Sequence, residues 1–169
     1  MLEILEILEA MYPNSKTALR HETPFQLLVA TILSAQCTDE RVNEITAGLF
    51  PAFPTPHDLA QASFEEVAAY VRSAGLWRNK ASNLIKTAQI LVEQYGGEVP
   101  RSREELEKLP GVGRKTANVV LANAFGIPAI AVDTHVFRVA NRLGLSSAST
   151  PLQTEQQLME AIPKEKWID

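Results

Sequence analysis

The side chains best suited to chemistry gather around one bend. Leu109-Pro110-Gly111-Val112-Gly113 is followed at once by Arg114 and Lys115. Two glycines around one apolar residue make a tight, side-chain-poor turn, so backbone N–H groups can approach an anion closely. The next helix turns its positive dipole end toward the same place. That arrangement suits a nucleic-acid phosphate. A plainer reading is an αα-hairpin whose glycines only allow close packing, because Gly-x-Gly alone is a weak signal. Lys115 also has two readings, as a point charge beside the phosphate or as an amine nucleophile that forms an iminium. The second needs an uncharged amine, and both the helix N-terminus and neighbouring Arg114 disfavour the ammonium form. Asp133 heads an Asp-Thr-His run that reads as a helix N-cap. A carboxylate held there can also stabilise developing positive charge and assist proton transfer.

The elements that position these residues read as helices in short succession. Ser102 and Glu105 have the spacing of a capping box, opening a helix that ends near Leu109 before Pro110. A second helix runs from Lys115 to Phe125 and stops at Gly126, with Ala117, Val120 and Leu121 on one face. Upstream, Leu2, Leu5 and Leu8 mark an amphipathic helix ending near Pro13. Residues 24–34 are so apolar that a buried helix is expected, with a strand as the alternative. Asp39 caps a helix bearing Val42, Ile45, Leu49 and Phe50, and Thr55-Pro56 opens a short one through Leu59. Ser63 and Glu66 form another capping box before a helix broken at Gly75, and a long helix spans 79–95. Asp133 caps a helix through Leu143, and Thr150-Pro151 starts another that Pro163 ends. Ala129 to Val132 is the only strand-like run, too short to anchor a sheet. The expected class is all-α.

Composition sets the outer limits. The chain has 169 residues, 46% hydrophobic and 21% charged, which is ordinary for a globular protein with ample core. No apolar run reaches the roughly 20 residues of a membrane span, and the acidic start is no signal peptide. A single cysteine excludes an internal disulfide and a Cys-rich metal site, and fits a reducing cytoplasm. The formal net charge of −4 argues against a polyanion partner until its distribution is considered. Between residues 108 and 142 lie Lys108, Arg114, Lys115, Arg138 and Arg142 against Asp133 alone, a local excess of four positive charges.

With these runs in hand, the chain resembles the helix-hairpin-helix DNA glycosylases, and among them the endonuclease III family. Residues 109–118 and 132–139 carry the resemblance, together with Leu33-Ser34-Ala35-Gln36-Cys37-Thr38-Asp39 and Gly75-Leu76-Trp77-Arg78-Asn79-Lys80-Ala81. It covers nearly the whole chain, with four motifs in the family's order and the lysine and aspartate at the family's separation of 18 (133 minus 115). The resemblance implies a glycosylase and AP lyase for oxidised pyrimidines, with Lys115 as nucleophile and Asp133 as catalytic carboxylate. Gly111, Val112, Gly113 and Arg114 would hold the DNA backbone. A glycosylase must extrude its target and fill the vacated stack. The resemblance assigns filling to Gln36 and the wedge to Leu76, beside Trp77 and Arg78. Asp39 and His135 would line the base pocket. A Gln bonded to a turn, a Leu-Trp pair completing a core and a structural His are the plainer alternatives. The implied partner is duplex DNA with a damaged base or abasic site, bound by a monomer, with no membrane role.

The family fold has a central six-helix domain, here residues 20–130 with the hairpin at about 103–125, and a second domain from residues 1–19 and 131–169. Family members continue into a final helix and a Cys-x6-Cys-x2-Cys-x5-Cys loop holding a [4Fe-4S] cluster. That motif is absent from these 169 residues, Cys37 is not one of its ligands, and no cofactor or metal site is expected in this chain. Missing closing helices would leave Leu2, Leu5 and Leu8 exposed and the isolated chain aggregation-prone. Two rival functions stay open: another glycosylase of the superfamily, for mismatched adenine or thymine or oxidised guanine, or a non-catalytic DNA-binding module. Lys115 argues against lysine-free members, and a module has little need of Asp133 at its spacing.

Overall fold

A computed structural model describes residues 2–168, and every regular element among them is helical. They are α1 (Leu2–Met11), α2 (Pro24–Ser34), α3 (Asp39–Ala52), α4 (Pro56–Gln61), α5 (Phe64–Val71), α6 (Trp77–Tyr95), α7 (Arg103–Glu107), α8 (Arg114–Phe125), α9 (Thr134–Arg142) and α10 (Pro151–Ala161). A single 3-10 turn, Lys164–Lys166, follows. Side-chain oxygens of Thr23, Thr38, Thr55, Ser63, Ser102, Asp133 and Thr150 accept backbone N–H bonds at seven of the ten starts. Each such cap satisfies a donor that the helix itself leaves unpaired.

The structure keeps some local expectations and changes others. Residues 24–34 form a helix and no strand, buried on nearly all sides because α2 packs against α3, α6 and α8. Thr38, not Asp39, caps α3, and Asp39 is its first residue. The box at Ser63 is complete, with reciprocal bonds to Glu66. The one at Ser102 is half made. Its hydroxyl accepts from the Glu105 N–H at 3.2 Å, but the Glu105 carboxylate turns to the Tyr95 hydroxyl and to Lys108 at 2.6 Å. Between residues 20 and 130 lie α2 to α8, of which α4 and α7 are short separate elements. Residues 129–132 form no strand.

Buried apolar side chains fall into two clusters. The larger runs from Leu19 to Ala129 and has α2 at its centre. The smaller joins Val132, Ala140, Leu145 and Leu158, with Ile4, Ile130, Val136, Phe137 and Ile162 against it. Of the three leucines expected to be exposed on α1, only Leu2 is; Leu5 and Leu8 line a cleft with Ile162 and Lys166. The outer face of α1 carries Ile7 and Met11 instead, next to exposed Tyr12. No described helix is long and apolar enough to cross a membrane.

Candidate active site and nucleic-acid interface

The hairpin is anchored from below. Leu109 and Val112 are buried, the Val112 N–H bonds the Leu109 carbonyl at 3.1 Å, and the Thr87 hydroxyl of α6 donates to the Pro110 carbonyl at 3.0 Å. Gly111 has φ +80°, where a side chain is strained, and a Cβ on it would stand 3.0 Å from the Asn83 amide nitrogen. A Cβ on Gly113 would meet open space. Gly113 is the N-cap of α8, and among the described residues no side chain caps that helix. Its first-turn N–H groups are therefore left without a side-chain cap, as an anion site requires. Asn83 and Thr87 are hairpin supports that the sequence did not reveal. They lie in an ordinary helical run, and only the packing of α6 gives them a partner.

Lys115 occupies the first turn of α8 and is half-buried. Asp133 is the N-cap of α9, exposed, with its Oδ1 accepting from His135 N at 2.9 Å and Val136 N at 2.8 Å. Among the described residues no hydrogen bond engages Oδ2, so the cap leaves one carboxylate oxygen available. Asn118 ties the two segments together. It is fully buried one turn beyond Lys115, and its amide donates to the Ile130 carbonyl, three residues before Asp133, at 3.0 Å. Its Oδ1 is buried and has no hydrogen-bond partner among the described residues.

Arg114 is committed elsewhere. Its guanidinium forks onto Glu155 of α10, Nε to Oε2 at 2.7 Å and Nη2 to Oε1 at 2.9 Å, with Arg103 at 3.8 Å from the same carboxylate. Glu155 is buried, and its hydrogen bonds raise the Arg114 pKa above the usual arginine value. The charge of Arg114 is offset there rather than directed at Lys115. Lys108 is likewise paired, with Glu105. The basic patch thus reduces to Lys115, Arg138 and Arg142.

A second pair of loops meets across the first core. Gln36 and Leu76 both adopt left-handed backbone, at φ 52° and 58°, and both are exposed. For non-glycine residues this costs about 1–3 kcal/mol, and such strain concentrates at functional positions. Leu76 stands 55% exposed at the head of α6, which begins at Trp77, two residues before the expected start. Trp77 is half-buried under Arg78, whose guanidinium lies 4.3 Å from the ring centroid, with Arg72 at 5.7 Å and Phe64 alongside. It props the tip, and the cations stand around it. Asp39 borders a cleft with Arg20 and Asn43, while the His135 ring faces Arg138 at 3.3 Å.

A [4Fe-4S] cluster takes four thiolates. Cys37 is the chain's one cysteine, and among the described residues no three His, Cys, Asp or Glu gather as metal ligands. The residues of this chain do not fit such a cluster.

Comparison with known proteins identifies the family. Residues 29–164 match the HhH-GPD superfamily base excision DNA repair protein family. Endonuclease III of Bacillus subtilis is 52% identical over 158 residues, which is 93% of this chain and 72% of that protein. Endonuclease III of Escherichia coli K12 is 49% identical over 99% of this chain and 80% of its own length. A trapped endonuclease III–DNA covalent intermediate superimposes with a TM-score of 0.95 at 52% identity, covering 99% of this chain and 79% of that one. The chain belongs to the HhH-GPD superfamily of base excision DNA repair proteins and, within it, to the endonuclease III family.

Proposed function

We propose that Lys115 and Asp133 carry the chemistry of this chain, which is that of a base excision repair DNA glycosylase and AP lyase. The observation that carries the assignment is the Asn118–Ile130 bond, which mounts the lysine helix and the aspartate segment on one buried tie. The uncharged Lys115 amine attacks C1′ of the extruded nucleotide and displaces the base, which leaves with the bonding pair and takes up a proton. Loss of a proton from the attached nitrogen leaves an aminal, and cleavage of the C1′–O4′ bond, with O4′ taking up a proton, opens the sugar ring and gives the iminium at C1′. The free Asp133 Oδ2 stabilises positive charge developing on the sugar. Removal of a C2′ proton then expels the 3′ phosphate by β-elimination, and water hydrolyses the iminium to restore the amine. The relative trapped as a covalent intermediate with DNA supports a nucleophile at this site.

The hairpin N–H groups hold the backbone phosphate, Gln36 fills the vacated stack, and Leu76 wedges the opposite strand, with Trp77 and Arg78 behind it. Asp39 and His135 contact an oxidised pyrimidine. The enzyme acts as a cytoplasmic monomer, with domains of residues 20–130 and of 1–19 with 131–169, a division supported by the two apolar clusters. Incubation with a thymine glycol duplex and borohydride tests the chemistry. A covalent adduct is expected and is lost in Lys115→Gln, while Asp133→Asn slows base release by ~10²-fold or more. DNA binding without any adduct would make the chain a binding module instead.

A further inference from the structure

Lys80 is a buried lysine that the proposed chemistry does not use. It sits in the first turn of α6, 4% exposed, and its ammonium donates to the backbone carbonyl of Ala35 in the loop between α2 and α3. Taking a lysine ammonium out of water is costly, so a hydrophobic side chain would serve a purely packing role better. Burial pushes this ammonium below the usual lysine range, with Cys37 pulling the other way. The bonded carbonyl belongs to the residue immediately before Gln36, and Lys80 lies four residues after Leu76 on the helix that Leu76 heads.

A second, independent contact joins the same two loops. A Cβ on Gly75 would stand 2.8 Å from the Gln36 carbonyl oxygen, closer than real Cβ atoms approach backbone. Gly75 is therefore needed for the backbones of the two loops to touch. Both exposed tips are in left-handed backbone, a conformation that persists only where surroundings over-determine it. The buried lysine bond on one side and the side-chain-free contact on the other supply that over-determination.

We infer that Lys80 is a positioning residue that locks the Gln36 loop to the Leu76 tip, so that both side chains enter the DNA stack as one unit. The inference rests on the reading of Gln36 and Leu76 as stack-entering residues. The stack is then never left with one void filled and the other open, and extrusion becomes a single concerted step. Neither loop needs to reorganise after DNA contact, which reduces the ordering cost of binding.

The test uses the full chain and a duplex carrying a tetrahydrofuran abasic analogue opposite 2-aminopurine, whose emission rises when it is unstacked. Wild type at saturation is expected to raise the emission. Lys80→Met should give less than half that rise and a base-release rate on thymine glycol about 10-fold slower, with Lys80→Arg recovering most of both. Combining Lys80→Met with Gln36→Ala and Leu76→Ala together should slow base release no further than those two changes alone, a non-additivity that general destabilisation would not produce. Should Lys80→Met not fold, Gly75→Ala separates the same loops from the other side and is expected to show the same loss of emission. An emission rise equal to wild type in either folded variant overturns the inference. Absence of any rise in wild type would instead overturn the stack-entry reading on which it stands.

Discussion

At the hairpin the two glycines answer to different constraints, and substitution separates them. Gly111→Ala puts a Cβ on left-handed backbone against Asn83 and Ile32, and is expected to cost about 1–2 kcal/mol of stability in urea melts. Gly113→Ala meets open space at an extended N-cap, so the fold should hold within a few tenths of a kcal/mol. On the proposed phosphate-binding role of the hairpin the added methyl group obstructs the phosphate, and DNA affinity is expected to fall about 10-fold in fluorescence anisotropy, roughly 1.4 kcal/mol. Elsewhere, bonds from the Ser63 backbone and hydroxyl hold the Glu66 carboxyl below the usual glutamate value. The folded pKa is depressed, so this contribution is present above the unfolded carboxyl's value and is lost as pH falls through the folded value. Ser63→Ala should move the Glu66 titration, followed by NMR, up toward the ordinary range. Lys115, Asp133 and the glycines were legible as residues because each carries its signal in local pattern. The pairing of Arg114 with Glu155 was not, for the partner lies 41 residues away on another helix and nothing in spacing indicates it.

Helix α6 does more at the element scale than its pattern of apolar residues announces. Its head presents Leu76, its first turn holds Lys80 against the Ala35 carbonyl, and its middle carries Asn83 and Thr87 beneath the hairpin. Leu76→Gly relieves the left-handed strain and is expected to raise stability by about 1 kcal/mol while slowing base release at least about 10-fold. A melting temperature that fell together with activity would show the side chain to be structural. The helices themselves were readable because their starts carry Thr, Ser or Asp caps and their stops carry Gly or Pro. The start of α6 was misplaced because a leucine in left-handed backbone has no sequence signature. The cap of α3 shifted by one residue because Thr38 and Asp39 are both competent caps and only geometry chooses between them.

On the scale of the whole molecule, two apolar clusters are joined by polar ties that neither cluster requires by itself. Glu155 of α10 receives Arg114 of α8 and Arg103 of α7, and Asn118 reaches the Ile130 carbonyl. Breaking a buried pair by removing one partner costs about 3–5 kcal/mol. Arg114 is 36% exposed and can regain water, so Glu155→Gln is expected to cost about 2 kcal/mol in urea unfolding. The all-helical class was legible from periodicity, but these ties were not, since each joins residues on different elements. The continuity of α6 has one more consequence. Leu76 and Thr87 are eleven residues apart (87 minus 76), about 16 Å along one rigid rod at 1.5 Å per residue. On the proposed roles of the Leu76 tip and the hairpin, the two DNA contacts keep a fixed separation, and the rod would act as a gauge of duplex geometry. An A-form duplex, with its wide shallow minor groove, sets backbone and bases at another reach, so it meets one end of the gauge and misses the other. A double-stranded RNA of the same sequence should need at least about 10-fold more to compete, the outcome expected of a protein that measures the form of the helix before any base is inspected.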